Sequence, residues 1–258
     1  MGSFSKWALL GAFALIVPNA QAALAADMPE TPVIALPPAT PAPFGSWYLR
    51  GDIGYKKWST PQLTFYNDNG SFIDYDNEAL GNAWLVGIGF GKQISQWFRA
   101  DFTLDYETPS TFTGTVFCGT CTPTYTSEYA RVSAWTLLAN AYVDLPLFGE
   151  GPRGITPYVG AGIGVSRVTW ADYTSTCGGC VTTVSDYGTT STWRFAWALT
   201  AGASFNITNR LLLDANYRFL SIAKGTAVAA VGSPSFGHSD YKNLYAHEFR
   251  LGLRYLFN

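Results

Sequence analysis

The chain has 258 residues, of which 48% are hydrophobic and only 13% charged, and its formal net charge is -2. That balance excludes a basic field able to hold nucleic acid, and no apolar run beyond the N-terminus approaches the roughly 18 residues that a membrane helix requires. The apolar content is therefore dispersed; 16% aromatic residues and 26 Gly fit short amphipathic strands bounded by aromatic rings, whereas a soluble sandwich would carry more surface charge.

In chain order, residues 1–26 read as a secretory signal. Lys6 is its basic region, Trp7 to Val17 its apolar region, and small residues follow in Ala20-Gln21-Ala22 and Ala23-Leu24-Ala25-Ala26. The apolar stretch is too short to span a bilayer, and Pro18 ends it. Cleavage after Ala22, Ala25 or Ala26 is left open. Residues 27–45 hold Pro29, Pro32, Pro37, Pro38, Pro41 and Pro43 without a hydrophobic period, which predicts an extended tether. Residues 46–258 form the third region, one all-β domain.

Within that region an alternation of period 2 predicts eight strands, near Trp47–Trp58, Ala83–Gln93, Trp97–Glu107, Ala130–Leu145, Pro157–Trp170, Trp193–Phe205, Arg210–Ser221 and Asn243–Phe257. Three connections are short: Ile94–Gln96, Pro146–Thr156 and Asn206–Asn209. Four are long: Ser59–Asn82, Thr108–Tyr129, Ala171–Thr192 and Ile222–Lys242. Long and short alternate strictly, as an antiparallel up-and-down transmembrane barrel demands when its turns face the periplasm and its loops the outside.

The two faces of each strand meet different surroundings. In the third, Phe98, Ala100, Phe102, Leu104 and Tyr106 oppose Arg99, Asp101, Thr103, Asp105 and Glu107. In the seventh, Leu211, Leu213, Ala215, Tyr217 and Phe219 oppose Arg210, Leu212, Asp214, Asn216 and Arg218, and in the first, Trp47, Leu49, Ile53 and Tyr55 oppose Tyr48, Arg50, Asp52 and Lys56. The apolar set faces lipid and the polar set the lumen. The second and fifth strands put Gly87, Gly89, Gly91 and Gly160, Gly162, Gly164 inside, where they leave room for bulky charged neighbours.

Several segments together resemble the small outer-membrane β-barrel proteins of the porin/opacity type found in alphaproteobacteria. They are the Ala-Ala-Asp junction of the signal, the opening Trp47-Tyr48-Leu49-Arg50-Gly51-Asp52-Ile53-Gly54-Tyr55, the inner Asn140, Tyr142 and Asp144, the stretch Pro157-Tyr158-Val159-Gly160-Ala161-Gly162, and the closing Gly252-Leu253-Arg254-Tyr255-Leu256-Phe257. The resemblance covers roughly residues 46–258. It implies that Gly252, Tyr255 and Phe257 form the C-terminal signal read by the barrel-assembly machinery, although Asn258 follows the final aromatic. It also implies an amino-terminal Ala26-Asp27 joined to peptidoglycan, which cleavage after Ala25 would create.

The strand phases send Arg50, Lys56, Arg99, Arg194, Arg218, Arg250 and Arg254 inward, with Asp52, Asp101, Asp105, Glu107, Asp144, Asp214 and Glu248. Matched charges in a lumen that eight strands barely leave room for predict a bonded plug and little conduction. Cys118-Gly119-Thr120-Cys121 and Cys177-Gly178-Gly179-Cys180 fall in two long loops. An oxidising compartment makes disulfides the expectation, within each pair or across the loops, with zinc or redox use as the alternatives. Asp68, Asp74, Asp76 and Glu78 invite a calcium reading, but an EF-hand with Gly70 at its sixth position would begin at Phe65, which cannot be a ligand. His238-Ser239-Asp240 are adjacent in a loop and His247 falls on the lipid face, so neither histidine is read as catalytic.

No enzyme, metal or cofactor is expected. The expected partners are outer-membrane lipid and lipopolysaccharide, the assembly machinery and peptidoglycan; oligomeric state is left open. Three functions follow: an envelope protein held to peptidoglycan through its Pro-rich arm, a surface adhesin or receptor acting through Thr-, Ser- and Tyr-rich loops, and a small-solute channel.

Overall fold

The computed structural model describes residues 45–67, 71–118, 124–145, 154–177, 184–185, 188–228 and 237–257. The expected signal peptide, and the linker up to residue 44, lie outside them. Fourteen strands follow in chain order: β1 Trp47–Trp58, β2 Leu63–Tyr66, β3 Phe72–Asp74, β4 Asp76–Leu80, β5 Ala83–Gln93, β6 Phe98–Phe117, β7 Tyr125–Asp144, β8 Ile155–Cys177, β9 Val184–Ser185, β10 Thr190–Asn206, β11 Leu211–Ile222, β12 Gly225–Val228, β13 His238–Tyr241 and β14 Leu244–Phe257.

Eight of these (β1, β5, β6, β7, β8, β10, β11 and β14) pair antiparallel with their neighbours in the ring, which closes where Trp47 to Trp58 of β1 lie opposite Phe257 to Ala246 of β14. Closure leaves the ring without an unpaired edge, the condition for strands in hydrocarbon. The period-2 expectation holds along β1, where Tyr48, Arg50, Asp52, Gly54, Lys56 and Trp58 are buried and the residues between them exposed. Large apolar side chains point outward, among them Ile53, Ile88, Phe102, Ile163, Trp193 and Phe249. Rings collect at two heights. Trp47 stacks on Phe90 near the short turns, with centroids 4.9 Å apart, and Tyr106 meets Trp135 at 4.7 Å towards the other end. Two girdles of this kind mark the bilayer interfaces.

The short turns are tied by hydroxyls. Ser95 Oγ accepts the amide N–H of Phe98 at 3.1 Å, and Thr208 Oγ1 accepts that of Leu211 at 3.0 Å. The chain enters at this same end, since the Gly45 amide donates to the Gln93 carbonyl. Inward glycines leave the room they were expected to leave: a Cβ on Gly89 would lie 2.7 Å from Arg50 Cγ, and one on Gly87 2.8 Å from an Arg250 nitrogen.

All four long connections differ from expectation because much of their length is strand. The predicted ends at Glu107 and Trp170 are bulges. Pro109 offers no N–H and the β6 register shifts between Glu107 and Ser110, but the Thr108 hydroxyl accepts the Trp84 N–H at 3.0 Å and donates to its carbonyl at 3.1 Å, so the ladder resumes. In β8 the irregularity falls where Asp172 takes a φ of 54°, a left-handed conformation that Asp tolerates. As a result β6, β7 and β8 run for 20, 20 and 23 residues, against 12 for β1 and 11 for β5. Beyond the upper girdle at Trp135 and Arg167, β8 continues to Cys177, roughly 25 Å along the barrel axis at ordinary strand rise and tilt. The connections from Ser59 and from Ala223 supply β2, β3, β12 and β13, which form a separate four-stranded sheet in the order β12-β13-β2-β3.

Candidate functional site: the barrel interior and its outer mouth

The interior has two storeys. The one nearer the periplasm is charged, because β1, β6, β11 and β14 alternate ionic side chains onto the inner face. Arg50 forks onto Asp52 (2.8 and 2.9 Å) and reaches Asp101 at 3.3 Å. Arg250 forks onto Asp105 (2.6 and 2.9 Å) and also meets Glu248 and Asp52, while Arg218 lies 2.7 Å from Asp105. Lys56 sits between Glu107 and Glu248. Arg99 pairs with Asp144 at 2.9 Å and Arg254 with Asp214 at 3.2 Å; Ser204 also donates to Asp214.

Aromatic rings finish this layer. The Arg99 guanidinium lies 4.1 Å from the Tyr142 ring centre and 4.2 Å from that of Tyr158, and Tyr48 donates to Asp101 at 3.0 Å. Of the fourteen charges that the strand phases send inward, thirteen fall in this network, each buried: Arg50, Asp52, Lys56, Arg99, Asp101, Asp105, Glu107, Asp144, Asp214, Arg218, Glu248, Arg250 and Arg254. The bidentate pairs Arg50–Asp52 and Arg250–Asp105 brace the lumen across its width, while Glu107 Oε2, Asp214 Oδ2 and both terminal nitrogens of Arg99 are buried without a hydrogen-bond partner among the described residues.

Arg194 is the correction. It faces inward as its phase requires, yet it lies in the upper storey beside Gly225 and the Tyr241 hydroxyl and joins none of the lumen carboxylates. The network therefore sets six cations, Arg50, Lys56, Arg99, Arg218, Arg250 and Arg254, against seven carboxylates.

The upper storey is apolar, and the sequence reading missed it. Trp58, Leu63, Phe112, Leu138, Val168, Trp170, Leu220, Ile222 and Tyr241 form one buried cluster. Trp170 is its centre, with Phe112 edge-on at 5.3 Å and Tyr241 stacked at 5.7 Å. The missed signal is a change of parity. On β6 the inward residues are odd-numbered up to Glu107, and after the Pro109 bulge they are even: Ser110, Phe112 and Gly114. On β8 they change from Trp170 to Tyr173 across Asp172.

Above this cluster lies the mouth. Glu128 accepts from Thr126 (2.6 Å), Ser175 (2.7 Å) and Tyr173 (2.5 Å), and the Tyr75 hydroxyl bonds both Tyr173 and Ser239, at 2.9 and 2.7 Å. Burial, reinforced by Tyr75 and Glu128, holds the Tyr173 phenol neutral well above the ordinary tyrosine range. Ser239 is thus engaged away from His238, which stacks on Tyr66, so the adjacent His-Ser-Asp residues form no relay. His247 lies on the outer wall and bonds the Tyr217 hydroxyl at 2.6 Å. Of the acidic first connection, Asp74 accepts from Thr64 and Glu78 from the Leu63 amide, while residue 68 is outside the described residues.

Burial lifts the Glu78 carboxyl to about 7 against the opposing pull of the Leu63 amide. A raised acid holds its proton in the folded state where the unfolded chain has lost it, so folded stability falls as pH rises from about 4.5 to about 7. Hydrogen exchange of β2 and β3, corrected for intrinsic rates, is expected to show stronger protection at pH 5 than at pH 8. Glu78→Gln should flatten the difference; an unchanged pH profile in that variant would exclude Glu78 as its source.

The sequence from residue 31 to 257 matches the family model described as the outer membrane protein beta-barrel domain. The chain belongs to this outer-membrane β-barrel family. An uncharacterised protein of Brucella suis biovar 1 is 33% identical over 281 residues, covering 94% of this chain and 95% of the relative. Outer membrane protein PagN of Salmonella typhimurium is 24% identical over 230 residues, covering 81% and 89%. A Rickettsia bellii protein with the provisional name of adhesin is 28% identical over 221 residues, covering 81% and 87%. Among solved structures, the Pseudomonas aeruginosa outer membrane protein OprG aligns over 84% of this chain and 98% of its own, with a TM-score of 0.48 and 15% identity. Membership of this family places the protein in the bacterial outer membrane. Of the expected assembly signal, Gly252 faces inward and Tyr255 faces lipid, with Phe257 at the lower girdle beside Phe90.

Proposed function

We propose that the protein is a non-enzymatic, non-conducting outer-membrane barrel that works through its outer wall as a surface-interaction protein. The observation that carries this reading is the occupied interior under an elongated wall: ion pairs cross the lower lumen, an apolar cluster fills the upper, and β6 to β8 continue far beyond the girdle. Outward threonines at 111 and 113 give that wall hydrogen-bonding groups suited to a protein or glycan partner. The adhesin name carried by one relative agrees with it.

The test displays the protein on a non-adherent bacterium and replaces residues 116–126 by a two-residue turn. Attachment to host cells is expected to be lost while the unboiled protein keeps the fast gel migration of a folded barrel. Equal attachment by the trimmed protein would reject the reading.

A second reading rests on Gly45 joining the barrel at the short-turn end, the end from which a Pro-rich arm would reach the periplasm if the short turns face that side. In that reading the barrel also supports envelope integrity, with Ala26-Asp27 joined to peptidoglycan; muropeptides recovered on a peptide beginning at Ala26 would establish it. Lipopolysaccharide against the outer wall and the assembly machinery at Gly252, Tyr255 and Phe257 complete the proposed partners.

The cysteines act as staples of the outer tips in this reading. Cys118 ends its ladder just past β6 and is not a free thiol, whereas Cys121 and Cys180 lie outside the described residues and the side chain of Cys177 is not described. Thiol labelling of denatured, unreduced protein is expected to find no reactive cysteine. Stoichiometric labelling would remove the staples.

A further inference from the structure

Among the described residues, the buried carboxylate of the mouth differs from those of the lumen. Each lumen acid has a cation, but Glu128, 5% exposed, is held by three hydroxyls and no described Lys, Arg or His comes within ion-pair distance of it. A carboxylate offers about four acceptor positions. Two on Oε1 are taken by Thr126 and Ser175, and one on Oε2 by Tyr173, which leaves one on Oε2.

Glu128 lines a cavity of about 240 Å³ whose other walls include Phe65, Ile73, Tyr75, Val116, Tyr173 and Val228. An apolar chamber with aromatic sides and one buried negative charge selects against anions. A neutral guest would fill the chamber but leave that charge without a counter-ion. A guest with an ammonium head would occupy the fourth acceptor position, compensate the charge and lie against the rings, the arrangement that recognises organic cations.

We propose that this cavity is a binding site for a small organic ammonium carrying an apolar body of about six carbons. The hydroxyl chain Ser239–Tyr75–Tyr173 fixes the orientation of Glu128, so the site is formed before the guest arrives. It is independent of what the outer wall binds.

The experiment titrates the folded full-length barrel, in non-ionic detergent, with cyclohexylammonium, cyclohexanol and cyclohexanecarboxylate, read by calorimetry and by amide shifts around Ser175. Saturable binding of the ammonium is expected, about tenfold tighter than the alcohol, with none of the carboxylate. Glu128→Gln is expected to erase the preference between ammonium and alcohol. Should that variant fail to fold, Ile73→Trp, which fills the chamber from its outer edge, is expected to abolish binding with Glu128 in place. Equal affinity for ammonium and alcohol, no saturable binding, or binding unaltered in the variants would each overturn the proposal.

Discussion

Arg250→Ala is expected to be among the most damaging single substitutions in the barrel, lowering its stability by about 3–5 kcal/mol, the usual cost of removing one partner from a buried ion pair. Arg250 is the hub of the charged storey, since it forks onto Asp105 and also meets Glu248 and Asp52. The composition of the network sharpens the prediction. With six cations against seven carboxylates, losing a cation widens the excess of buried acid, whereas losing a carboxylate removes it. Glu248→Gln leaves Lys56 with Glu107 and both arginines with Asp105, so its cost is expected to be much the smaller. Urea unfolding in vesicles, followed by gel migration, measures both variants. A Glu248→Gln loss equal to that of Arg250→Ala would refute the asymmetry.

Trp170→Ala is the second large effect, again about 3–5 kcal/mol, because the indole is 1% exposed and its removal leaves a cavity between Phe112 and Tyr241. Its consequence for conduction separates the two storeys. They block the lumen in series, so neither Trp170→Ala nor Arg250→Ala alone is expected to open it, and only the double variant should pass ions across a planar bilayer. A steady conductance in the unaltered protein would show that the interior is a lined pore.

What was legible in the sequence was whatever kept a constant parity. Trp47 to Trp58 alternate without interruption, and both faces were assigned correctly from the letters alone; so were Phe98 to Glu107 and the inner glycines of the second and fifth strands. The outer storey was hidden for a local reason. Thr108-Pro109 and Ala171-Asp172 look like the ends of strands, since one lacks a donor and the other favours turns, yet each is a bulge after which the opposite parity faces inward. A period search that stops at such a residue assigns Phe112 and Tyr173 to loops. The lumen charges were legible as a set because they share a face, but not as pairs, since pairing depends on stagger between strands distant in sequence. Arg194 shows the same limit: its face was right and its height was not. Glu128 had no signal beyond its parity, because its partners come from its own strand and from two residues more than forty positions away.

The lengths of the ring strands have a further consequence. The long strands β6, β7 and β8 are consecutive, and the short β1 and β5 stand beside them, so the rim of the barrel is not level. The molecule has a front and a back within the plane of the membrane. A neighbour approaching from the side of β6 to β8 meets a tall screen faced with threonine hydroxyls, whereas one approaching over β1 meets a low sill with the small sheet beyond it. Contact made at the surface is therefore directional, and rotation of the protein about the membrane normal decides which of the two faces an approaching surface meets.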